Sequence, residues 1–372
     1  MREVGIYVHI PFCKQKCKYC DFISFSNKQD MQNDYINSLL KEIEDCDKTD
    51  FKVNTIYFGG GTPSYISSNL IVKILDKIRT KFEIENNAEI TIEVNPGTVD
   101  KEKLENYINS GFNRISIGLQ ATQDELLKTI GRIHSYKEFE ECFKLAKEVG
   151  FKNINVDLML ALPNQTIQDL KDSLNKIITL NPNHISLYSL ILEEGTPLEK
   201  EVKSGVYVLP KDEEERKMYD ITKKILEKNG YVHYEISNFA KSGFESKHNL
   251  NCWNQKEYLG FGVSAHSYFD KKRFSNTTSL EKYIENRIDN IEINEIQTSE
   301  IEKKEYMMLG FRKLNGISIS EFERKFGIHP LFYFRFEISK LVQEELIEVD
   351  LDNIKLTRKG LDLANIVFEE FV

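Results

Sequence analysis

The sequence predicts an α/β protein: a partial (β/α)6 barrel of the TIM type followed by a small C-terminal winged-helix-like α+β domain. Three observations predict it. Strand-like and helix-like segments alternate strictly through the first 240 residues, the pattern of a parallel sheet with crossover helices. Six such units are too few to close an eight-stranded barrel and suit an open one. Beyond residue 297 the rhythm changes to short helices and a hairpin.

The strand-like runs are Val4–His9, Thr55–Phe58, Glu89–Val94, Arg114–Gly118, Asn155–Leu160 and His184–Leu190. Between and after them lie stretches of helical period: Met31–Cys46, Asn69–Lys81, Lys101–Ser110, Tyr136–Val149, Ile167–Leu180 and Lys211–Lys228. Gly111, Gly150 and Gly230 stand where left-handed helix caps belong. Asp30, Ser68 and Asp100 stand where N-caps belong. From Phe239 to Ser275 the pattern breaks into a segment rich in glycine and aromatics, which reads as a loop. Helices at Ile301–Leu314, Ser318–Lys325 and Pro330–Glu344 then precede strands Leu346–Val349 and Ile354–Leu356, which turn at Asp352-Asn353. A last helix spans Thr357–Glu370. The expected organisation is a barrel over 1–240, a motif-bearing loop and linker over 241–296, and the small domain over 297–372.

Charge and hydropathy restrict the partners. The net charge of −9 argues against broad binding to nucleic acid or to anionic membranes. No apolar run approaches the roughly 20 residues of a membrane-spanning helix. The first residues alternate like a strand rather than a signal peptide, so the expected location is the cytoplasm.

Three of the six cysteines crowd into eight residues directly after the first strand, as Cys13-x3-Cys17-x2-Cys20. In a reducing compartment such a cluster reads as metal ligation. Three thiolates on one tight loop can each take one iron of a 4Fe–4S cubane and leave the fourth iron open to a small molecule. A structural zinc site would want four closed ligands, commonly two paired cysteine motifs, and no second pair exists. Cys46 and Cys142 sit singly in helical patterns and read as packing residues. After the second strand, Gly59-Gly60-Gly61-Thr62-Pro63 offers bare backbone for close ligand approach. Glu93, Gln120, Arg132 and Asp157 fall in or beyond the third to fifth strands, whose C-terminal ends converge on one face of a βα barrel.

The cysteine motif, the Gly-Gly-Gly-Thr-Pro run and Tyr-Val-His-Ile-Pro-Phe-Cys at the start resemble the radical-SAM superfamily, and the barrel is expected to be of that kind. The resemblance runs on through Glu-Glu-Gly-Thr-Pro at Glu193–Pro197 to the terminal domain and points to the porphyrin-related branch. It implies a 4Fe–4S cluster on Cys13, Cys17 and Cys20, with S-adenosylmethionine at the open iron. The implied co-substrate contacts are Tyr7, Tyr19, Gly60, Gly61, Thr62, Glu93, Gln120, Arg132, Asp157 and Ile191. An electron donor of the flavodoxin or ferredoxin type and a homodimer are implied in the same way.

Two groups share this layout: oxygen-independent coproporphyrinogen III dehydrogenases and haem chaperones of the HemW type. The dehydrogenase has a fourth cysteine two positions after the third, where Phe22 stands here, and a long extension before the cluster, whereas Cys13 lies near the start. The chaperone has a His-Asn-x-x-Tyr-Trp motif, matched by His248-Asn249-Leu250-Asn251-Cys252-Trp253 with cysteine in the tyrosine position. The resemblance therefore implies a haem chaperone that passes haem to acceptor proteins. His248 is the expected axial ligand, Trp253 is expected to pack beside the macrocycle, and His266 is a weaker ligand candidate. Oxidative decarboxylation of a porphyrinogen is the alternative.

Overall fold

The computed structural model describes residues 2–285 and 291–372, with the side chains of 292–294 excepted. Its core is a sheet whose six central strands are parallel and consecutive: β1 (Glu3–Ile10), β2 (Lys52–Gly60), β3 (Glu83–Val94), β4 (Arg114–Gln120), β5 (Ile154–Leu160) and β6 (His184–Ser189). These are the six predicted strands. β4 is buried at every position, as expected of a strand covered on both faces.

Crossover helices span Gln32–Asp45, Ser68–Lys81, Lys101–Asn109, Tyr136–Glu148 and Ile167–Leu180, and Asp212–Lys228 follows β6. Each lies within two residues of its predicted limits. The first shows how: Tyr35, Ile36, Leu39 and Ile43 form one buried stripe. Local chemistry sets the ends. Asp100 accepts from the Lys103 N–H, and Ser135–Glu138 and Thr166–Asp169 form reciprocal caps. Gly111, Gly150 and Gly230 all have positive φ. Two expected caps shift by one residue: Asp30 lies inside a 3-10 turn capped onward at Met31, and Ser67 rather than Ser68 precedes its helix.

The segment read as a loop is folded. After β7 (Val232–Glu235) and β8 (Asn238–Ala240), which pair antiparallel beyond β6, the chain forms a helix at Lys247–Trp253. It then forms β9 (Tyr258–Phe261), β10 (His266–Phe269), β11 (Lys272–Asn276) and β12 (Ile291–Ile296). β9 runs parallel to β1 and gives that edge a partner, so the sheet reads β12-β11-β10-β9-β1-β2-β3-β4-β5-β6-β8-β7. Its two edges do not pair among the described residues, and the barrel stays open. The glycines that suggested a loop are close-approach positions. A β-carbon on Gly260 would lie 2.1 Å from the His266 carbonyl oxygen, and Gly262, at φ +106°, packs on the Tyr35 hydroxyl.

The C-terminal domain is α+β, as predicted. Helices at Ser299–Gly310, Ile319–Phe326 and Arg335–Gln343 pack on a small antiparallel sheet of β13 (Ile317–Ser318), β14 (Ile347–Val349) and β15 (Asn353–Leu356). Tyr306, Met307, Phe311, Phe322, Phe334 and Leu341 build a separate core. The predicted last helix breaks into Arg358–Asp362 and Ala364–Glu369.

Candidate functional site

The cysteine loop leaves β1 at Pro11 and is pinned at several points. Cys13 N–H donates to the Phe25 carbonyl at 3.0 Å and Phe25 N–H to that of Pro11 at 2.7 Å. Lys18 N–H reaches the Ile130 carbonyl at 3.0 Å. The loop therefore lies against the C-terminal ends of the strands. Cys13, Cys17 and Cys20 all line one cavity of about 370 Å³ there. Thr62 Oγ1 donates to Cys13 Sγ at 3.5 Å and Arg132 Nη1 to Cys17 Sγ at 3.7 Å. Burial raises the Cys13 thiol and pushes Cys20 up to about 11, so these stay protonated until a bound cation favours the thiolates. Among the described residues no group of three or more His, Cys, Asp or Glu side chains is placed to hold a single metal ion. A cubane takes one iron per thiolate and does not require that convergence. Cys142 is buried in the core and Cys46 caps a helix against it, both away from this cavity.

The glycine run meets the loop from β2. Gly61 N–H donates to the Ile10 carbonyl and Thr62 N–H to that of Phe12, both at 2.9 Å. Gly60 has φ +110°, and a β-carbon there would sit 2.6 Å from the His9 ring. The next strands line the same cavity. Glu93 accepts from the Tyr57 hydroxyl at 2.7 Å, and burial pushes its carboxyl up to about 7. Arg132 Nη2 donates to Asn95 Oδ1 at 2.7 Å and to the Gly118 carbonyl at 2.6 Å. Gln120 sits at a β4 irregularity with φ +73°. Asp157 accepts from Asn155 at 2.7 Å and from Ser116 at 3.2 Å, and burial raises its carboxyl. Gln120 Oε1 and Arg132 Nε are buried without partners, so this wall holds polar capacity that a polar ligand could use.

The structure thus brings together Tyr19, Gly60, Gly61, Thr62, Glu93, Gln120, Arg132 and Asp157 with the three cysteines. Two expected residues are not on the cavity wall. Tyr7 lies behind Gly59 and bonds His9 Nδ1 at 2.9 Å. Ile191 is exposed beyond β6. The sequence reading missed Asn95, Arg114, Ser116, Asn155 and Ser186, all lining residues. Strand alternation was the signal: 93 and 95, 114 through 120, and 155 and 157 are same-face pairs or runs at a period of two.

The His248 motif lies in the helix Lys247–Trp253, not in a loop. His248 is only 8% exposed. Its Nδ1 bonds Thr55 Oγ1 at 2.9 Å, its ring stacks on Tyr57 at 5.1 Å, and burial lowers it to about 4. Five helical positions turn about 140°, so His248 and Trp253 leave on different faces. Trp253 packs under the Arg312 guanidinium at 4.3 Å, and the expected pairing of the two around one ligand is not formed. Burial pushes the Cys252 thiol up to about 11, unlike a ready thiolate. His266 begins β10 and is exposed. Asn249, which had no assigned role, is the motif residue that lines the cavity.

The Radical SAM superfamily model matches residues 7–177 and the HemN C-terminal domain model residues 302–363. The heme chaperone HemW of Lactococcus lactis is 37% identical over 98% of this chain and 96% of its own length. The chain belongs to the heme chaperone HemW family. The HemW of Bacillus subtilis is also 37% identical, over 98% of both chains. Among solved structures, the coproporphyrinogen III oxidase HemN from Escherichia coli, described as a radical SAM enzyme, superposes with a TM-score of 0.88 at 24% identity. That match covers 100% of this chain and 90% of HemN. The architecture shared with HemN is the radical-SAM α/β fold with an open parallel sheet and a small C-terminal domain, and the two HemW relatives align with this chain over nearly their whole length.

Proposed function

We propose that this HemW-family chain is a haem chaperone that holds a 4Fe–4S cluster on Cys13, Cys17 and Cys20, binds S-adenosylmethionine in the adjoining cavity, and passes haem to acceptor proteins. The observation that carries the reading is the meeting of three free thiols with the glycine run and a polar wall in one cavity, in a chain similar to HemW over its full length. When bound, the cluster supplies an electron for reductive cleavage of a sulfonium C–S bond. The chain's own residues bind and orient. Gly60 and Gly61 line the cavity and leave room for the His9 ring and for the cysteine loop at Pro11 and Cys13, Thr62 and Arg132 donate toward cysteine sulfurs, and Glu93, Gln120 and Asp157 offer acceptors to a ligand's polar atoms. Tyr19 closes the loop side. The haem acceptor, a flavodoxin- or ferredoxin-type electron donor, self-association and a cytoplasmic location rest on the family resemblance. No helix among the described residues is long and apolar enough to cross a membrane.

Haem ligation by His248 belongs to this proposal with a condition that the burial imposes: the helix Lys247–Trp253 has to move before its imidazole reaches an iron. Phe22, exposed at the cavity, stands where the dehydrogenase has its fourth cysteine and weighs against porphyrinogen decarboxylation.

Anaerobic reconstitution followed by two assays tests the reading. About four irons and four sulfides per chain are expected, as one cubane requires. Alanine at Cys13, Cys17 or Cys20 should abolish them, whereas Cys46→Ala and Cys142→Ala should keep them. Haem should titrate to saturation without consumption of coproporphyrinogen. Iron-free zinc protein, or no haem binding, overturns the respective half. Robust formation of protoporphyrinogen would make the chain an enzyme of that reaction instead.

A further inference from the structure

Arg114 is a buried charge without a partner. It opens β4, 2% exposed, and its guanidinium makes no hydrogen bond or ion pair within the described residues. Its Nε is orphaned outright. The carboxylates that favour its charge electrostatically, Glu89 and Asp157, accept their hydrogen bonds from other groups. Both Glu89 oxygens accept backbone N–H groups, from Lys247 at 3.2 Å and His248 at 3.1 Å. Asp157 accepts from Asn155 and Ser116. A guanidinium in that position is costly unless something completes its five donors.

The cavity shows where a completing group can come from. Arg114 and Gln120 occupy opposite ends of β4, roughly 20 Å apart along the strand, yet both line the same space. The cavity therefore runs from the cysteine loop down through the barrel. Its deep part is walled by Arg114, Ser116, Asn155, Ser186 and Asn249. Asn249 projects from the helix that buries His248, and its side-chain amide also has no partner among the described residues. Phe22 and Tyr188 are exposed and line the cysteine-loop end of the same cavity, so a ligand whose acid arm reaches Arg114 has to enter the barrel past them.

We propose that Arg114, assisted by Asn249, is a carboxylate-binding site in the depth of the barrel, which receives the acid arm of the second ligand. A planar guanidinium pairs with a carboxylate through two parallel hydrogen bonds. Two carboxylates are at hand under the proposed function, on which this inference rests: a haem propionate and the amino-acid carboxylate of S-adenosylmethionine. Arg114 lies at the far end of β4 from Gln120 and the cysteine loop, away from a co-substrate held at the cluster, which favours the propionate.

The test compares haem with its dimethyl ester on reconstituted protein by Soret titration, and measures S-adenosylmethionine by equilibrium dialysis. Wild type should bind the ester about tenfold more weakly than haem, as the loss of one charge-assisted pair requires. Arg114→Gln should lose about tenfold toward haem, bind haem and ester alike, and keep its affinity for S-adenosylmethionine. Arg114→Lys should fall between, and Asn249→Ala should show a smaller loss of the same kind. A tenfold loss toward S-adenosylmethionine alone supports the carboxylate site and assigns it to that source. Equal binding of haem and ester by wild type, with both affinities kept in Arg114→Gln, overturns the site. If Arg114→Gln does not fold, the wild-type comparison and Arg114→Lys still decide. Wild type that binds no haem overturns the chaperone reading, and the dialysis arm then decides the carboxylate site alone.

Discussion

A β-carbon added to Gly61 would sit 2.9 Å from the Pro11 carbonyl carbon and 3.0 Å from Cys13 Sγ. The backbone neighbour cannot step aside as a flexible side chain could. Gly61→Ala should therefore displace the cysteine loop, cost about 1–3 kcal/mol, and lower iron retention after reconstitution by more than half. Unchanged iron content would show that the loop has slack there. Glu93 gives a second prediction, for the metal-free protein. Burial holds its carboxyl near 7, above the ordinary value of 4.5. The folded state then binds a proton that the unfolded chain has released, and stability falls as pH rises from about 4.5 through 7. The loss should be on the order of 2 kcal/mol, less than the full shift would give, because the side chain is only partly buried and solvent screens it. Glu93→Gln should flatten that slope in melting curves recorded from pH 5 to 8. An identical slope in the variant would locate the titrating group elsewhere.

The helix Lys247–Trp253 has seven residues, too few to persist alone. Its first turn is held by Glu89, which takes the N–H groups of Lys247 and His248, and by Ser246 Oγ, which takes that of Asn249 at 3.4 Å. A carboxylate is well placed at that positive helix end. Glu89→Ala should destabilise the protein by about 2 kcal/mol and loosen this helix first. Trp253 is the only tryptophan in the chain, so its fluorescence reports the event as a red shift. If haem ligation needs His248 released, the same variant should bind haem faster than wild type. A slower or equal rate would mean that haem does not wait on this helix.

At the scale of the whole molecule the small domain is joined to the barrel through backbone and charge together. Ile236 N–H donates to the Arg312 carbonyl at 3.0 Å and Leu314 N–H to that of Tyr234 at 3.1 Å. Arg273 Nε meets Glu305 at 2.6 Å, and Lys325 donates to Gln255 at 2.8 Å. These contacts couple two separate cores. The full chain should unfold in one transition. Arg273→Ala leaves the half-buried Glu305 carboxylate without its cation, should cost about 2 kcal/mol, and should split the transition in calorimetry. Two transitions in the wild type would show that the join is weaker than its bonds suggest.

The sequence by itself determined the six parallel strands with their helices and the cysteine loop. Six strands and their helices were legible because burial on two faces or one stripe imposes periods of 2 and 3.6, and Asp100, Gly111 and Gly150 mark ends by local chemistry. Cys13, Cys17 and Cys20 were legible because their ligand geometry is contained in eight consecutive residues. What required the tertiary structure involves residues far apart in the chain. Gly260 and Gly262 look like loop glycines until His266 and Tyr35 are seen to occupy the space a side chain would take. His248 reads as an open ligand until Thr55 and Tyr57, nearly 200 positions away, are found against its ring. Arg114 is one more strand residue in sequence. Only the folded barrel leaves its charge buried, unpaired and facing a cavity, because pairing depends on which distant side chains the topology delivers and which it does not.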